Sequence, residues 1–187
     1  MKKFISALIA SLTIAAPSLA APLPADHQAL VDTLQADGIK YLVNEPAQAC
    51  FDGSTRNGSY VTYQGDRYLI VCQDRRSEGE FSINENVSFV VEWTANDLDT
   101  IRHETTHIIQ DCMAGANNDG KFDTIFTSLA DVIDTYGVVN SMRVVNSYLD
   151  LYTGDRNSDI KYEIEAFYAA QDLSATQIND MYIKYCR

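Results

Sequence analysis

The chain is 187 residues long, enough for one domain with a core of its own. It carries 26 acidic against 14 basic residues, a formal net charge of -12, which repels phosphate backbones and excludes nucleic acid as an expected partner. Its four cysteines, Cys50, Cys72, Cys112 and Cys186, show no C-x-x-C spacing and are expected to form two disulfides rather than a thiolate metal site.

Lys2 and Lys3 precede an apolar run from Phe4 to Ala16 and the small-residue ending Ser18-Leu19-Ala20. This is the pattern of a secretory signal peptide, with cleavage expected after Ala20 or, as the next choice, Ala21. Residues 1–20 contain two lysines and no acid, so the remaining domain, 21–187, carries a charge of -14. Export to the periplasm or the exterior is expected, and no later run is apolar for long enough to cross a bilayer.

From Asp26 to Ala36, Ala29, Leu30 and Leu34 recur at helical spacing, with Gly38 as a stop. From Ala49 to Trp93 the pattern changes to short runs rich in Val, Ile, Tyr and Phe: "ACF", "SYVTY", "RYLIVC" and "VSFVVEW". Turn residues separate them (Asp52-Gly53, Asn57-Gly58, Gly65-Asp66, Glu78-Gly79), which predicts a small antiparallel meander with a tight hairpin at Gly65-Asp66. "VSFVVEW" reads either as a core strand or as an edge open to an extended peptide. Thr94-x-x-Asp97 is close to a capping box and opens a central helix, with Leu98, Ile101, Thr105, Ile108 and Cys112 on one face, ending near Gly115. Further helices are predicted to start near Ser128, Val139, Ser158 and Ser174, the last with the capping box Ser174-x-x-Gln177. The fold class is therefore α+β. Of the three possible cysteine pairings, Cys50–Cys72 would staple the strand-rich part, and Cys112–Cys186 would tie the last helix to the end of the central one.

The central helix contains His103-Glu104-Thr105-Thr106-His107, two of the three histidines of the chain. Positions i and i+4 project from one helix face, so both imidazoles can grip one metal ion, and zinc suits imidazole nitrogen. Glu104, one step round, points beside the open coordination position, where a carboxylate can take a proton from an attacking water and pass it to a leaving amine. Catalytic zinc takes three protein ligands. His27, on the polar side of the first helix, is expected at the surface, which leaves a carboxylate. In "SDIKYEIEAFYAAQD", Ile160, Ala166, Phe167 and Ala170 cluster on one side at 100° per residue, with Glu163 at the centre of that side. Glu165 lies nearly opposite, with Lys161, Tyr168 and Asp172. Glu163 is the expected third ligand and Glu165 the alternate, since a carboxylate on an apolar face is costly unless a metal or partner compensates it.

The pair of segments, His103-Glu104-x-x-His107 and downstream Glu163-Ile164-Glu165-Ala166, resembles the gluzincin class of zinc metallopeptidases, the thermolysin-like group. The resemblance implies a zincin-like domain in which the two histidines and a glutamate on a later helix bind one Zn2+ and the motif glutamate is the general base. Tyr162 stands where that class often has asparagine. The long metzincin motif is absent, since Gln110-Asp111-Cys112 follows, and so is the Glu-Gly-Cys context of peptide deformylases.

Around this motif, Gln110 and Asp111 lie one turn beyond His107, within reach of a ligand imidazole or of solvent. Tyr148, Tyr152, Tyr162 and Tyr168 are candidates for oxyanion stabilisation. "NNDGKFD" fails as an EF-hand, because aligning Gly120 with the invariant glycine puts Gly115 and Phe126 at positions one and twelve, although Asp119 and Asp123 remain able to hold a weak ion. Asn57-Gly58-Ser59 and Asn86-Val87-Ser88 match the glycosylation sequon. The expected function is a secreted zinc peptidase acting on peptide or protein substrates. The alternative is a secreted zinc-binding or structural protein without turnover.

Overall fold

A computed structural model describes residues 22–51, 57–78, 81–82, 87–88, 90–116, 121–126, 128–148 and 159–187. The elements, in chain order, are α1 (Ala25–Ala36), β1 (Lys40–Val43), α2 (Ala47–Cys50), β2 (Gly58–Tyr63), β3 (Asp66–Val71), a 3-10 turn (Arg76–Glu78), β4 (Phe81–Ser82), β5 (Val87–Ser88), α3 (Ala95–Met113), α4 (Leu129–Tyr136), α5 (Val138–Tyr148), α6 (Ile160–Asp172) and α7 (Ala175–Cys186). The architecture is α+β, a small sheet beside a helical layer. The signal-peptide segment, Asp52-Gly53, Gly79, Asn86 and Tyr152 lie outside the described residues. Among the described residues, no helix is long and apolar enough to cross a membrane.

The central helix α3 begins where its sequence says it should. The Thr94 hydroxyl accepts from the Asp97 backbone N–H at 3.1 Å, and the Asp97 carboxylate accepts from the Thr94 N–H at 2.9 Å. Such a cap is worth about 1 kcal/mol. Asp97 also accepts from the Asp74 N–H at 2.8 Å, tying the start of the helix to the residues that follow β3. Ser174 and Gln177 make the corresponding box for α7.

The sheet differs from the expected antiparallel meander. Its order is β1-β3-β2, with β2 antiparallel and β1 parallel to β3, so it is mixed. β1 escapes sequence reading because four residues between Gly38 and Pro46 are too few for alternation to show. The β2–β3 turn falls one residue earlier than expected: Gln64 and Gly65 both have positive φ, 53° and 89°, and Asp66 pairs with Tyr63. "ACF" is not a strand, since Ala47–Cys50 forms one turn of helix. Among its described residues "VSFVVEW" supplies neither a core strand nor a long edge: Val87–Ser88 pairs with Phe81–Ser82, and residues 90–94 carry no strand. The Val91 backbone bonds instead to the buried Gln73 side chain, whose amide accepts from Val91 N–H and donates to its carbonyl, both at 2.9 Å.

The main core is built where α3 meets α1, β3 and α7. Ile101, Ile108 and Ile109 pack with Leu30, Val31, Leu34, Leu69, Val71, Ile178 and Tyr182, all essentially buried. A second cluster, Val132, Tyr136, Val144, Ile160 and Ile164, joins α4, α5 and α6. Both expected disulfides are present, Cys50–Cys72 and Cys112–Cys186, across separations of 22 and 74 residues. In the chain-entropy picture, loops of that size correspond to about 3.4 and about 4.4 kcal/mol.

One glycine sets the distance between sheet and helix. A Cβ on Gly58 would stand 2.5 Å from Thr100 Cγ2, 2.8 Å from the Ile70 carbonyl oxygen and 3.2 Å from Glu104 Cγ. The carbonyl belongs to the neighbouring strand and cannot swing aside, so β2 itself must move. Gly58→Ala is expected to lower unfolding stability by about 1–3 kcal/mol through overpacking, measured by urea titration. An unchanged midpoint would show that β2 does not lie this close to α3.

Candidate metal centre

From Asp97 to Asp111 α3 is buried on almost every side, although Asp97, Thr100, His103, Glu104, Thr105, Thr106, His107, Gln110 and Asp111 are all polar. Buried polar groups cost free energy unless they are bonded. The threonines solve this within the helix: Thr105 donates to the Ile101 carbonyl and Thr106 to that of Arg102, at 2.7 and 2.9 Å. The histidines and carboxylates need partners from elsewhere, and those partners define the site.

α6 supplies the main one. Ala166, Ala169 and Ala170, each 2% exposed or less, let it lie close against α3, where the Arg102 Nε donates to the Ala170 carbonyl at 2.8 Å. This brings Glu163 to the histidine pair. Its Oε2 lies 3.3 Å from His103 Nε2 and 3.6 Å from His107 Nε2, and the two Nε2 atoms are 3.1 Å apart. Tetrahedral zinc with bonds of about 2.0–2.1 Å requires ligand–ligand edges of about 3.3–3.4 Å. The triangle therefore has the dimensions of one face of such a tetrahedron. Two imidazoles and a carboxylate, all buried, form a group that can hold a metal ion.

The neighbouring groups are assigned by their bonds. Glu104 Oε2 accepts from the Tyr60 backbone N–H at 2.7 Å, so strand β2 fixes that carboxylate. His107 Nδ1 lies 2.8 Å from Gln110 Oε1, one of the two roles expected for Gln110. Asp111 reaches no imidazole and accepts from the Tyr60 hydroxyl at 2.6 Å. His103 is placed by packing, edge-on to the Phe167 ring at 4.6 Å, and its buried Nδ1 has no hydrogen-bond partner among the described residues.

Helix geometry alone leaves two environments undescribed. Glu165, on the side of α6 with Lys161, Tyr168 and Asp172, is fully buried. Its carboxylate accepts from Gln110 Nε2 at 2.6 Å and from the backbone N–H groups of Ile125 and Phe126 at 3.0 and 2.8 Å. The 121–126 segment folds over that side, which the periodicity of α6 alone cannot reveal. Burial pushes the Glu165 carboxyl up, and these donors hold it back. His27 is not at the surface either, being 4% exposed. Its Nδ1 lies 3.0 Å from Asp26 and its Nε2 3.0 Å from the Arg102 guanidinium, which also bonds Asp99. A guanidinium only donates, so Nε2 accepts and Nδ1 carries the proton.

The triangle opens into a pocket of about 970 Å³ walled by Asn57 and the start of β2 (Gly58–Tyr60), by α3, and by Phe122, Tyr148 and Phe167. Of the tyrosines singled out from the sequence, Tyr148 lines this pocket. Tyr162 donates its hydroxyl to the Phe122 carbonyl at 2.6 Å, and Tyr168 stacks edge-on with Phe126 and Tyr136. Asp123 is exposed and accepts from the Thr124 N–H, while Asp119 lies outside the described residues.

Burial disfavours a charged imidazole at His107, but bonding to the Glu163 carboxylate and the nearby Glu104 charge outweigh it and push the pKa up to about 9. Burial likewise opposes ionised Glu163, yet the two imidazoles hold it well below the usual carboxylate range. In metal-free protein, the His107 contribution to stability is full below its unfolded value near 6.5 and is lost as pH rises through about 9. The Glu163 contribution is present above its unfolded value of about 4.5 and is lost only as pH falls toward its depressed folded value. Thermal melts in chelator should therefore show falling stability between about pH 6.5 and 9. A divalent ion must displace the His107 proton, so its affinity should rise up to about tenfold per pH unit in that window, read by chelator competition. A pH-independent affinity would contradict the His107–Glu163 pairing.

No family model, curated protein or solved structure matches this chain, so what the centre does is read from its own side chains.

Proposed function

We propose that this chain is an exported zinc metallopeptidase of the gluzincin type, in a minimal zincin-like α+β domain. The observation that carries the reading is the convergence of His103, His107 and Glu163 at tetrahedral spacing, beside Glu104, on an open pocket. Two imidazoles and one carboxylate with an open side are the donor set of catalytic rather than structural zinc. A zinc ion held by His103, His107 and Glu163 would supply a water of lowered pKa and Lewis-acid polarisation of a carbonyl. Glu104, anchored through one oxygen on the Tyr60 N–H, is the base that takes a proton from the attacking water and returns it to the leaving amine. Tyr148 lines the pocket, which supports it as the donor to a developing oxyanion. Among the described residues β2 is an edge strand, and its run along the pocket suits an extended peptide backbone. The disulfides suit an oxidising compartment, in keeping with a signal peptide at residues 1–20.

The purified protein, without residues 1–20, is expected to carry one tightly held zinc per chain by elemental analysis. Glu104→Gln should keep the metal and lose about 10²–10⁴-fold in peptide cleavage, the usual worth of a general acid–base. Glu163→Ala should weaken zinc by well over 100-fold, since it removes a ligand outright, compared with about 10–100-fold for supporting groups. Wild-type protein that holds zinc but cleaves nothing across a broad peptide library would leave a metal-binding scaffold and remove the enzyme.

A further inference from the structure

Glu165 is a buried carboxylate whose three bonded partners are all neutral: the Gln110 amide and the backbone N–H groups of Ile125 and Phe126. The orientation of Gln110 follows from what surrounds it. Its Nε2 faces two groups that can only accept, the Glu165 carboxylate at 2.6 Å and the Tyr162 carbonyl at 3.1 Å. The amide must therefore turn its NH2 toward α6 and its carbonyl toward His107. His107 Nδ1, 2.8 Å from that carbonyl, must then carry a proton, so Nε2 is the nitrogen whose proton an ion would displace, and its lone pair would then point at the face shared with His103 and Glu163. The same carboxylate holds the backbone of Ile125 and Phe126. The segment they belong to brings Phe122 against the His107 ring, with centroids 5.7 Å apart, and its Asp123 N–H donates to the Gln110 backbone carbonyl at 3.0 Å.

We propose that Glu165 is a positioning residue for the metal centre, fixing the tautomer of His107 through Gln110 and clamping the 121–126 segment that walls the pocket. The inference rests on the metal-site reading. It gives the second glutamate of "YEIEAF" a role distinct from ligation: Glu163 meets the ion, and Glu165 holds one of the imidazoles that does.

Zinc affinity measured by chelator competition on the full protein without residues 1–20 tests this, with the imidazole 15N spectrum of the three histidines as a second readout. In Glu165→Leu the acceptor shared by Gln110, Ile125 and Phe126 is gone, and the Gln110 amide loses the carboxylate that orients it. Zinc should bind about 10–100-fold more weakly, with the His107 Nδ1–H resonance shifted or lost. Adding Gln110→Leu to Glu165→Leu should weaken zinc by less than about threefold more, because the relay to His107 is already broken. Both variants carry the same change at Ile125 and Phe126, so their difference reads the relay alone. If Glu165→Leu does not fold, Gln110→Leu by itself, which keeps both backbone bonds of Glu165, should lose roughly 10–100-fold. Wild-type affinity in Glu165→Leu or Gln110→Leu, or a further loss of more than about threefold in the double variant, overturns the proposal while leaving the metal site standing. A wild-type protein that takes up no zinc overturns both.

Discussion

The structure depends on how closely α6 can lie against α3. Three alanines on α6 remove the side-chain bulk that would separate the helices, and the Arg102 bond to the Ala170 carbonyl fixes the approach. Only at that distance can a glutamate carboxylate reach two imidazoles from another helix. The same closeness imposes the opposite cost, because it takes the polar face of α3 out of water. A centre assembled between two helices must therefore pair most of the polar groups it encloses, and among the described residues the His103 Nδ1 is left without a hydrogen bond.

That requirement explains much of the local arrangement. The threonines bond back to their own helix, Glu104 takes a backbone N–H from β2, and Gln110 spans from His107 to Glu165. Beside the histidine pair, Arg102 gathers His27, Asp99 and the Ala170 carbonyl, so α1 and α6 are both tied to the residue next to His103. Each bond is worth only about 1 kcal/mol net, but leaving any of these groups unpaired would cost about 1–3 kcal/mol or more. The network fixes geometry more than it adds stability.

What can be read from the sequence follows the range of the interactions involved. Caps are local, so Thr94, Ser128 and Ser174 mark their helices within a residue or two. The i, i+4 spacing of His103 and His107 is also local, as is the central place of Glu163 on the apolar side of α6. β1 is not legible, because a four-residue strand gains its identity only by lying parallel to β3. The surroundings of Glu165 and His27 escape sequence reading for a related reason. The helical wheel gives each a direction, but what covers that direction comes from elsewhere, residues 125–126 for Glu165 and Arg102 of α3 for His27. "VSFVVEW" has strand composition, yet its Val91 backbone is taken up by the side chain of Gln73.

The Cys112–Cys186 bond has a bearing on the metal centre that goes beyond the folded state. His107 and Glu163 are separated by more than fifty residues of chain, but the route through Cys112 and Cys186 is about half as long. Halving a loop lowers its closure cost by about 0.6 kcal/mol. In the oxidised, still unfolded chain Glu163 is thus tethered nearer to the histidine pair, so an ion held by the two imidazoles would meet the carboxylate at higher effective concentration. The crosslink would shorten the chelate ring that an ion closes between the histidine pair and Glu163.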